Sequence, residues 1–306
     1  MNNEVLCFGE ILWDIFQDEK KPGGAPMNVA MHLRQQGVDA LLASRIGTDK
    51  EGEELVEFLR NNNLFSDFIQ IEKQLPTCAV SVVLDQDFQA NFTIPSPVSW
   101  DNIEPTINLI KKAQNASVIV FGSLASRSDK TKATLMLILD SEALKVFDVN
   151  LRAPHYELNT IDALAGCADI IKMNEEELDL LTGIELNHLT QKEKILFLAD
   201  SFACPIICVT RGGKGSIVLY ENALYEDPGF TVEVTDTVGA GDAYLATFIA
   251  GLLRKEKIED ILENASAIGA FVASSRGANP KYNIPVIENI RQSRSIKNTN
   301  RKIKTY

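Results

Sequence analysis

Short apolar runs recur along the chain, and stretches in which apolar residues follow a helical spacing separate them. The runs are four or five residues long and mostly rich in Val, Ile and Phe, which is the pattern of a buried strand. Because strands and helical stretches alternate, we expect an α/β fold in three layers, with a mainly parallel sheet covered by helices on both faces. The predicted strands are Val5–Phe8, Val118–Phe121, Val146–Val149, Ile170–Met173 and Ile206–Thr210.

Capping residues and small residues predict where helices begin and end. The stretch Asn28–Gln36 is followed by Gly37, which suits the first position after a helix. Residues 48–51, Thr-Asp-Lys-Glu, have the spacing of a capping box that starts a second helix at Thr48. Asp101 and Ser128 are typical N-cap residues and predict the starts of two more helices.

One region departs from the alternation of strands and helices. Cys78–Leu84 and Gln89–Ile94 are two strand-like runs joined by a short segment, which predicts a hairpin. Together with the segment after Asp14, the hairpin forms either a small separate sheet that acts as a lid, or an antiparallel edge of the main sheet. We place the lid at about residues 12–22 and 76–96, within one domain that spans residues 1–306.

The composition is that of an ordinary globular protein, with 306 residues of which 45% are hydrophobic and 24% charged. The net charge of −12 argues against a nucleic-acid partner, because such proteins usually present a basic face. The basic segment Arg291–Lys304 leaves open a nucleic-acid or membrane role beside that of a solvated terminus. No apolar run reaches the roughly 18 residues of a membrane span, and a secretion signal is lacking, so we expect no membrane partner and a cytoplasmic location. The five scattered cysteines indicate reduced thiols.

The stretch Thr235–Tyr244 predicts the chemistry. It places Gly239, Ala240 and Gly241 directly before Asp242, and an apolar helical run follows. A helix that begins on small residues exposes unpaired N–H groups and the positive end of its dipole, which together favour a bound phosphate. A carboxylate beside a phosphate is better suited to taking a proton from an attacking hydroxyl than to binding the anion. The stretch therefore suggests phosphoryl transfer to an alcohol.

A pair of glycines near the N-terminus lies at a second predicted strand end. Gly23 and Gly24 precede a helix whose first turn contains Asn28, and Asp14 follows the first strand. Ligands of open α/β sheets bind beyond the carboxyl ends of the strands, where these residues are expected to meet. Their hydrogen-bonding groups suit a polyhydroxylated ligand. A glycine pair by itself is equally consistent with a structural turn.

Three further strand ends carry polar residues with two interpretations each. Arg152 either contacts a phosphate or forms a surface salt bridge. Asn174 and Glu177 either hold Mg²⁺ through its water shell or cap a helix. The segment Thr210–Gly215 is a glycine-rich turn that either cradles nucleotide phosphates or simply joins two strands of a hairpin.

Two motifs make the chain resemble the ribokinase-like (PfkB) family of carbohydrate kinases. Gly23-Gly-Ala-Pro-Met-Asn28, continued by Arg45-Ile-Gly47-Thr-Asp-Lys-Glu-Gly52, looks like the N-terminal signature of that family. Asp236-Thr-Val-Gly-Ala-Gly-Asp242 looks like its C-terminal signature. The resemblance covers nearly the whole chain and implies a ribokinase-like sandwich with a small β-sheet lid.

The resemblance also implies roles for individual residues. Asp242 is the expected base for a primary hydroxyl, and the N–H groups of Gly239, Ala240 and Gly241 are expected to stabilise the transferring γ-phosphoryl group. Arg152 is expected to steady the phosphate or the sugar. The implied ligand residues are Asp14, Gly23, Gly24 and Asn28 for the sugar, Thr210, Gly212, Gly215 and Asn279 for ATP, Asn174 and Glu177 for Mg²⁺ through water, and Asp236 for a monovalent cation such as K⁺.

Within the family the chain looks most like fructokinases, of which three segments are typical: residues 121–125, 148–152 and 172–183. It departs from them at Cys78 and Val149, where Thr and Pro are usual, and in the residues after the second segment. The implied activity is ATP-dependent phosphorylation of a monosaccharide, fructose above all, with 2-keto-3-deoxygluconate and ribose as alternatives. A non-catalytic sugar-binding regulator is a more remote alternative. Some relatives dimerise through the lid, so a homodimer is also expected.

Overall fold

The computed structural model describes residues 3–17, 19–64, 67–84, 90–283 and 285–292. The strands are β1 Val5–Phe8, β2 Leu12–Ile15, β3 Lys20–Gly23, β4 Ala40–Ile46, β5 Ile69–Ile71, β6 Cys78–Leu84, β7 Ala90–Thr93, β8 Val118–Gly122, β9 Leu144–Asp148, β10 Ile170–Asn174, β11 Ile206–Thr210, β12 Ser216–Tyr220 and β13 Ala223–Asp227. The helices are α1 Ala25–Gln35, α2 Lys50–Asn61, α3 Ile107–Asn115, α4 Asp129–Leu139, α5 Leu158–Ala165, α6 Glu175–Thr182, α7 Gln191–Phe202, α8 Ala240–Leu253 and α9 Ile258–Ala273. Four short 3₁₀ helices are also present, and residues 285–292 are helical.

The large sheet has the strand order β5–β4–β1–β8–β9–β10–β11–β12–β13. The strands from β5 to β11 in this order are parallel, whereas β12 and β13 add to one edge as an antiparallel hairpin. The mainly parallel sheet expected from the sequence is therefore confirmed. Because the parallel strands point the same way, their carboxyl ends meet along one edge.

Alternate residues of β1 pack into two different cores. Leu6 and Phe8 belong to a core that contains residues of α3 to α7, whereas Val5 and Cys7 belong to a core that contains residues of α1, α2, α8 and α9. Successive side chains of a strand point to opposite faces, so the helices cover both faces of the sheet. Each large apolar side chain buried in these layers stabilises the fold by about 1.5–3 kcal/mol. The three-layer arrangement is confirmed.

Two helices begin at residues other than the predicted ones. Helix α1 starts at Ala25 rather than Asn28, because Gly24 adopts a φ of +111° as its N-cap and Pro26 occupies the first turn. Helix α2 is capped by Asp49, whose Oδ1 accepts a hydrogen bond from Gly52 N at 3.0 Å. The capping box predicted at Thr48 is therefore wrong by one residue.

The two caps predicted at Asp101 and Ser128 differ in outcome. Ser128 does occupy the N-cap position of α4, but its hydroxyl donates to the Asp101 carbonyl and not into the helix. Asp101 caps no α-helix, since its carboxylate accepts from Val98 N at 2.9 Å and pairs with Arg127 at 2.8 Å. The next helix, α3, is capped by Thr106 instead.

A second, four-stranded sheet has the order β3–β2–β6–β7. Strand β2 pairs in parallel with β6 and antiparallel with β3, and β6 and β7 form the predicted hairpin. The connecting residues 85–89 lie outside the described part of the chain. This pairing makes the hairpin part of a small separate sheet and excludes the alternative of an edge of the main sheet. Its role as a lid stays a prediction.

The cysteines are free thiols, as predicted; four are buried and Cys167 is half-buried. Burial raises the pKa of Cys78 and Cys208 to about 12, so both stay protonated at neutral pH. Among the described helices none has the length and hydropathy to cross a membrane. Most of the basic segment predicted at Arg291–Lys304 lies outside the described residues.

Candidate active site

The carboxyl ends of the central strands, the small sheet and the start of α8 enclose a cavity of about 710 Å³, called here the central cavity. Most of the side chains predicted to bind sugar or to act on it line this space. The lining includes Asp14, Asn28, Arg152, Lys172, Glu177 and Asp242. These residues come from widely separated parts of the sequence and meet because parallel strands end at one edge.

Helix α8 starts at the floor of the central cavity. Its N-cap, Gly239, has a φ of +78°, and a Cβ atom there would lie 2.5 Å from the Ala278 side chain, so only glycine fits. Among the described residues no backbone acceptor contacts the N–H groups of Gly239 and Gly241, whereas the Ala240 N–H donates to Thr237 O at 3.3 Å. Two of the three predicted N–H donors are therefore free to bind an anion.

Asp242 lies in the first turn of α8 and is buried. Asn28 Nδ2 donates a hydrogen bond of 2.8 Å to Asp242 Oδ2, which fixes the orientation of the carboxylate. Burial and the neighbouring Asp148 raise the pKa of Asp242 to about 6, although Lys172 and the Asn28 bond oppose this change. A carboxylate with a pKa near 6 is a stronger base than an ordinary aspartate and is still ionised at neutral pH.

A buried ion pair lies directly behind the start of α8. Lys172 Nζ donates to Asp148 Oδ1 at 3.0 Å, and both side chains are almost fully buried. A Cβ atom at Gly241 would lie 2.9 Å from Lys172 Nζ, so the ammonium group contacts the glycine backbone. Burial alone would lower the pKa of Lys172, but the carboxylates of Asp148, Glu177 and Asp242 outweigh it and raise that pKa. Lys172 therefore stays charged where a phosphoryl group would be transferred.

Two further carboxyl groups, those of Asp14 and Glu10, line the central cavity. Burial raises the pKa of Asp14 to about 7, and Arg152 opposes this increase. A Cβ atom at Gly23 would lie 2.2 Å from Asp14 Oδ2, which explains a glycine at that position. Glu10 is buried beside Gly24, and burial likewise raises its pKa to about 7.

The side chain of Asn28 connects helix α1 to two segments near the C-terminal end of the sequence. While its Nδ2 donates to Asp242, its Oδ1 accepts from Asn279 Nδ2 at 2.7 Å. One turn further along α1, His32 Nε2 lies 2.8 Å from Ala278 O, and the His32 ring stacks on Tyr282. The Asn28 side chain thus holds the candidate base, besides lining the predicted sugar site.

The start of helix α6 has the helix cap, which is one of the two alternatives that the sequence left open for Asn174 and Glu177. Asn174 and Glu177 cap the helix reciprocally: Asn174 Oδ1 accepts from Glu177 N, and Glu177 Oε2 accepts from Asn174 N, both at 2.8 Å. Glu177 Oε1 also accepts from Leu151 N at 2.8 Å. Asp236 ties two loops together by accepting from Val238 N at 3.0 Å and Gly277 N at 3.1 Å. These carboxylates hold the backbone in place at the edge of the site.

A second cavity of about 350 Å³ adjoins the first and is called here the glycine-loop cavity. Its lining includes the predicted nucleotide residues Thr210, Gly212 and Gly215, and the two cavities share Thr210 and Gly241. Asn279 lines neither of these two cavities, and its Nδ2 donates to Asn28, so its ATP-site role stays a prediction. The glycine run before Asp242 therefore lies at the junction of the two spaces.

The family model that describes pfkB family carbohydrate kinases matches residues 2–284. The chain belongs to this family. The kinase is 27% identical over 313 residues to probable fructokinase-5 of Arabidopsis thaliana. This alignment covers 92% of this chain and 94% of the relative.

Two solved structures share the fold of the kinase. An uncharacterized sugar kinase of Pyrococcus horikoshii in complex with ATP is 26% identical, with a TM-score of 0.74 over 90% of this chain and 94% of that one. A fructokinase double mutant from Vibrio cholerae in fructose, ADP and potassium ion bound form is 22% identical, with a TM-score of 0.82 over 94% of this chain and 98% of that one. The chain is a sugar kinase of the pfkB family with a ribokinase-like fold.

Two residues that line the central cavity, Glu10 and Lys172, are absent from the set of site residues that the sequence predicts. The sequence does contain an indication of each. Lys172 is a single cation inside the apolar strand β10, which is expensive to bury unless the charge is used or paired. Glu10 directly follows a predicted strand end, at the edge where Asp14 was expected. Polar residues that interrupt or end a buried strand are therefore useful indicators of this site.

Proposed function

We propose that the kinase transfers the γ-phosphoryl group of ATP to a primary hydroxyl of a monosaccharide, with fructose as the first candidate. The observation that supports this most directly is the position of Asp242. Its carboxylate is held by Asn28 in a polar cavity large enough for a sugar, close to Gly241, which lines both this cavity and a second one bordered by a glycine-rich turn.

In the proposed reaction, Asp242 accepts the proton of the sugar hydroxyl as the hydroxyl oxygen forms a bond to the γ-phosphorus. The bond between that phosphorus and the bridging oxygen breaks, and ADP leaves with the electron pair. The free N–H groups of Gly239 and Gly241 and the Lys172 ammonium lie where negative charge develops, so they stabilise the transition state. Arg152 adds positive charge from the sugar side of the central cavity.

Oxygen donors for Mg²⁺ line the same cavity. Each oxygen of Glu177 accepts one backbone N–H and retains a second lone pair, and Asn174 lies beside it, so both can hold metal-bound water. Within the described residues there is no group of three or more His, Cys, Asp or Glu side chains for direct ligation, which fits an ion held chiefly by phosphates and water. When bound, Mg²⁺ neutralises charge on the phosphates.

The monovalent cation is assigned to the loops that Asp236 holds together, and K⁺ is the first ion to test because the Vibrio cholerae fructokinase was solved with potassium. The homodimer and the cytoplasmic location stay predictions from the sequence.

A coupled assay of ADP release tests the proposed function. Fructose, ribose, 2-keto-3-deoxygluconate, tagatose and adenosine are compared at equal concentration with ATP and Mg²⁺, and Asp242→Asn protein purified in the same way measures contaminating kinases. We expect fructose to give the highest kcat/KM. A higher value for another sugar replaces the substrate but keeps the reaction. ADP release that no sugar stimulates above the Asp242→Asn background contradicts the proposed function.

A further inference from the structure

Glu10 occupies the loop between β1 and β2, at the base of the central cavity. Only 2% of the residue is exposed to solvent, yet it belongs to the lining of that cavity together with Asp14, Asn28 and Asp242. A buried glutamate that borders a ligand-sized space differs from a carboxylate packed into a core, because an incoming ligand can reach it.

The two oxygens of the Glu10 carboxylate are not equivalent. The backbone N–H groups of Glu10 itself and of Ala25, the first residue of α1, favour the charged carboxylate and lower its pKa, against the larger effect of burial. The Oε2 atom, in contrast, is buried and has no hydrogen-bond partner among the described residues. A buried carboxylate oxygen without a donor is costly, and native structures seldom keep one without a use.

The charges around Glu10 limit what can satisfy that oxygen. Burial raises the pKa of Glu10 to about 7, the negative charge of Asp242 adds to this, and Arg152 opposes it. An anionic ligand group beside Glu10 would be repelled by two carboxylates, and an apolar group would leave Oε2 unpaired. A neutral hydroxyl supplies a donor without adding charge, so a sugar hydroxyl is the ligand chemistry that fits.

We propose that Glu10 is a specificity-determining residue, whose Oε2 accepts a hydrogen bond from a sugar hydroxyl other than the one that is phosphorylated. This inference rests on the proposed function, because it assumes a sugar in the central cavity. It assigns Asp242 to the reacting hydroxyl and Glu10 to recognition. A site that hydrogen-bonds a substrate hydroxyl discriminates strongly against analogues that lack it, since its own polar group is then left unpaired.

A purely structural role makes a different prediction. If Glu10 only holds the start of α1 through the Ala25 bond, its loss lowers thermal stability and weakens sugar and ATP together. If Oε2 binds the substrate, its loss acts on the sugar alone. The two roles are therefore separated by comparing the KM values of the two substrates.

The experiment compares wild-type protein, Glu10→Gln and Glu10→Asp with the sugar that the wild type phosphorylates best. We expect the KM for the sugar to rise by roughly 10- to 100-fold in both variants, the range that corresponds to a lost hydrogen bond to a charged group. The KM for ATP should stay within about 2-fold. The control is Glu4→Gln, which removes another buried carboxylate that lies outside the cavity and is paired to Lys112; its KM values should not change.

Monodeoxy analogues of the same sugar then identify the contact. For one analogue, the wild type should lose as much kcat/KM as Glu10→Gln loses with the full sugar. With that same analogue, Glu10→Gln should have almost the same kcat/KM as it has with the full sugar. Additive losses for every analogue overturn the inference, as does an unchanged sugar KM in a folded Glu10→Gln protein. If Glu10→Gln does not fold, the same cycle is run with Glu10→Asp. Wild-type protein that phosphorylates no sugar overturns the proposed function instead, so the two failures are distinguishable.

Discussion

Replacing the candidate base, Asp242→Asn, is expected to inactivate the kinase and at the same time to stabilise it. Loss of a positioned general base lowers turnover by roughly 10²–10⁴-fold. The asparagine side chain keeps an oxygen that can accept from Asn28 Nδ2, so the cavity wall should hold its shape. Sugar binding is expected to stay within about 3-fold of the wild type, because recognition uses other residues.

The expected gain in stability follows from the pKa. Burial and Asp148 raise the pKa of Asp242 from 3.8 to about 6, so the folded protein disfavours the charged form. At ~1.4 kcal/mol per pH unit this difference corresponds to about 3 kcal/mol above pH 7. Losing the favourable position of a carboxylate at the start of α8 takes back up to ~1 kcal/mol. A net gain of about 2 kcal/mol corresponds to a rise in Tm of ~2–5 °C for a chain of this size.

The pH dependence tests the cause. An aspartate whose pKa is raised on folding contributes stability below its unfolded value of about 4, and that contribution is lost as pH rises through about 6. The Tm difference between Asp242→Asn and wild type should therefore be full at pH 8 and vanish near pH 4. Calorimetry at both pH values, without ligands, measures it. The control is Asp129→Asn, an exposed aspartate in the first turn of α4.

Three results would refute this reasoning. A lower Tm at pH 8 would mean that the Asp242 charge stabilises the folded state. An equal gain at both pH values would mean that the effect is not one of ionisation. Turnover within about 10-fold of wild type would mean that Asp242 is not the base.

Asp14→Ala should raise the KM for the sugar at least ~10-fold and leave the KM for ATP within about 2-fold, by loss of a hydrogen bond to a charged group; an equal rise in both would remove Asp14 from the sugar site. Gly241→Ala should lower kcat by roughly 10-fold or more, because a Cβ atom 2.9 Å from Lys172 Nζ forces the ammonium away from the transferring phosphoryl; unchanged steady-state kcat would contradict this. Asn279→Ala should lower kcat by about 3- to 10-fold through loss of its bond to Asn28, with the KM for ATP unchanged; a specific rise in the KM for ATP would restore Asn279 to the nucleotide site.

The five parallel strands that the sequence predicted are short, mostly apolar runs, even where a charged residue such as Lys172 interrupts one. Most of their residues are buried, so composition identifies them. Strand β4 was not predicted, because its apolar start is followed by Ser44 and Arg45. Its pairing with β1 and β5 in the sheet makes that segment a strand. The start of α1 was predicted three residues too late, because the backbone conformation of Gly24 determines where this helix begins.

In the site, Asp242 and its glycines were predictable because neighbours in sequence create the helix terminus. The roles of Glu10 and Lys172 were not, because each depends on groups that only the folded chain brings close. Lys172 stays charged through carboxylates on three other segments, and the unpaired oxygen of Glu10 becomes visible only when its surroundings are known. Of the two alternatives that the sequence left for Asn174 and Glu177, the helix cap is confirmed, and the Mg²⁺ site stays a prediction.

The bonds of Asn28 also bear on how the protein is made. Asn28 is bonded to Asp242 and to Asn279, which follow it by 214 and 251 residues. At typical rates of translation, of about 5–20 residues per second, Asn28 is incorporated some 10–40 s before Asp242. During this time the Asn28 amide has neither partner, and a partial chain that ends before α8 lacks the candidate base and the N–H groups proposed to bind the phosphoryl group. On the proposed mechanism, a nascent fragment therefore has no phosphotransfer activity until residues of α8 are added.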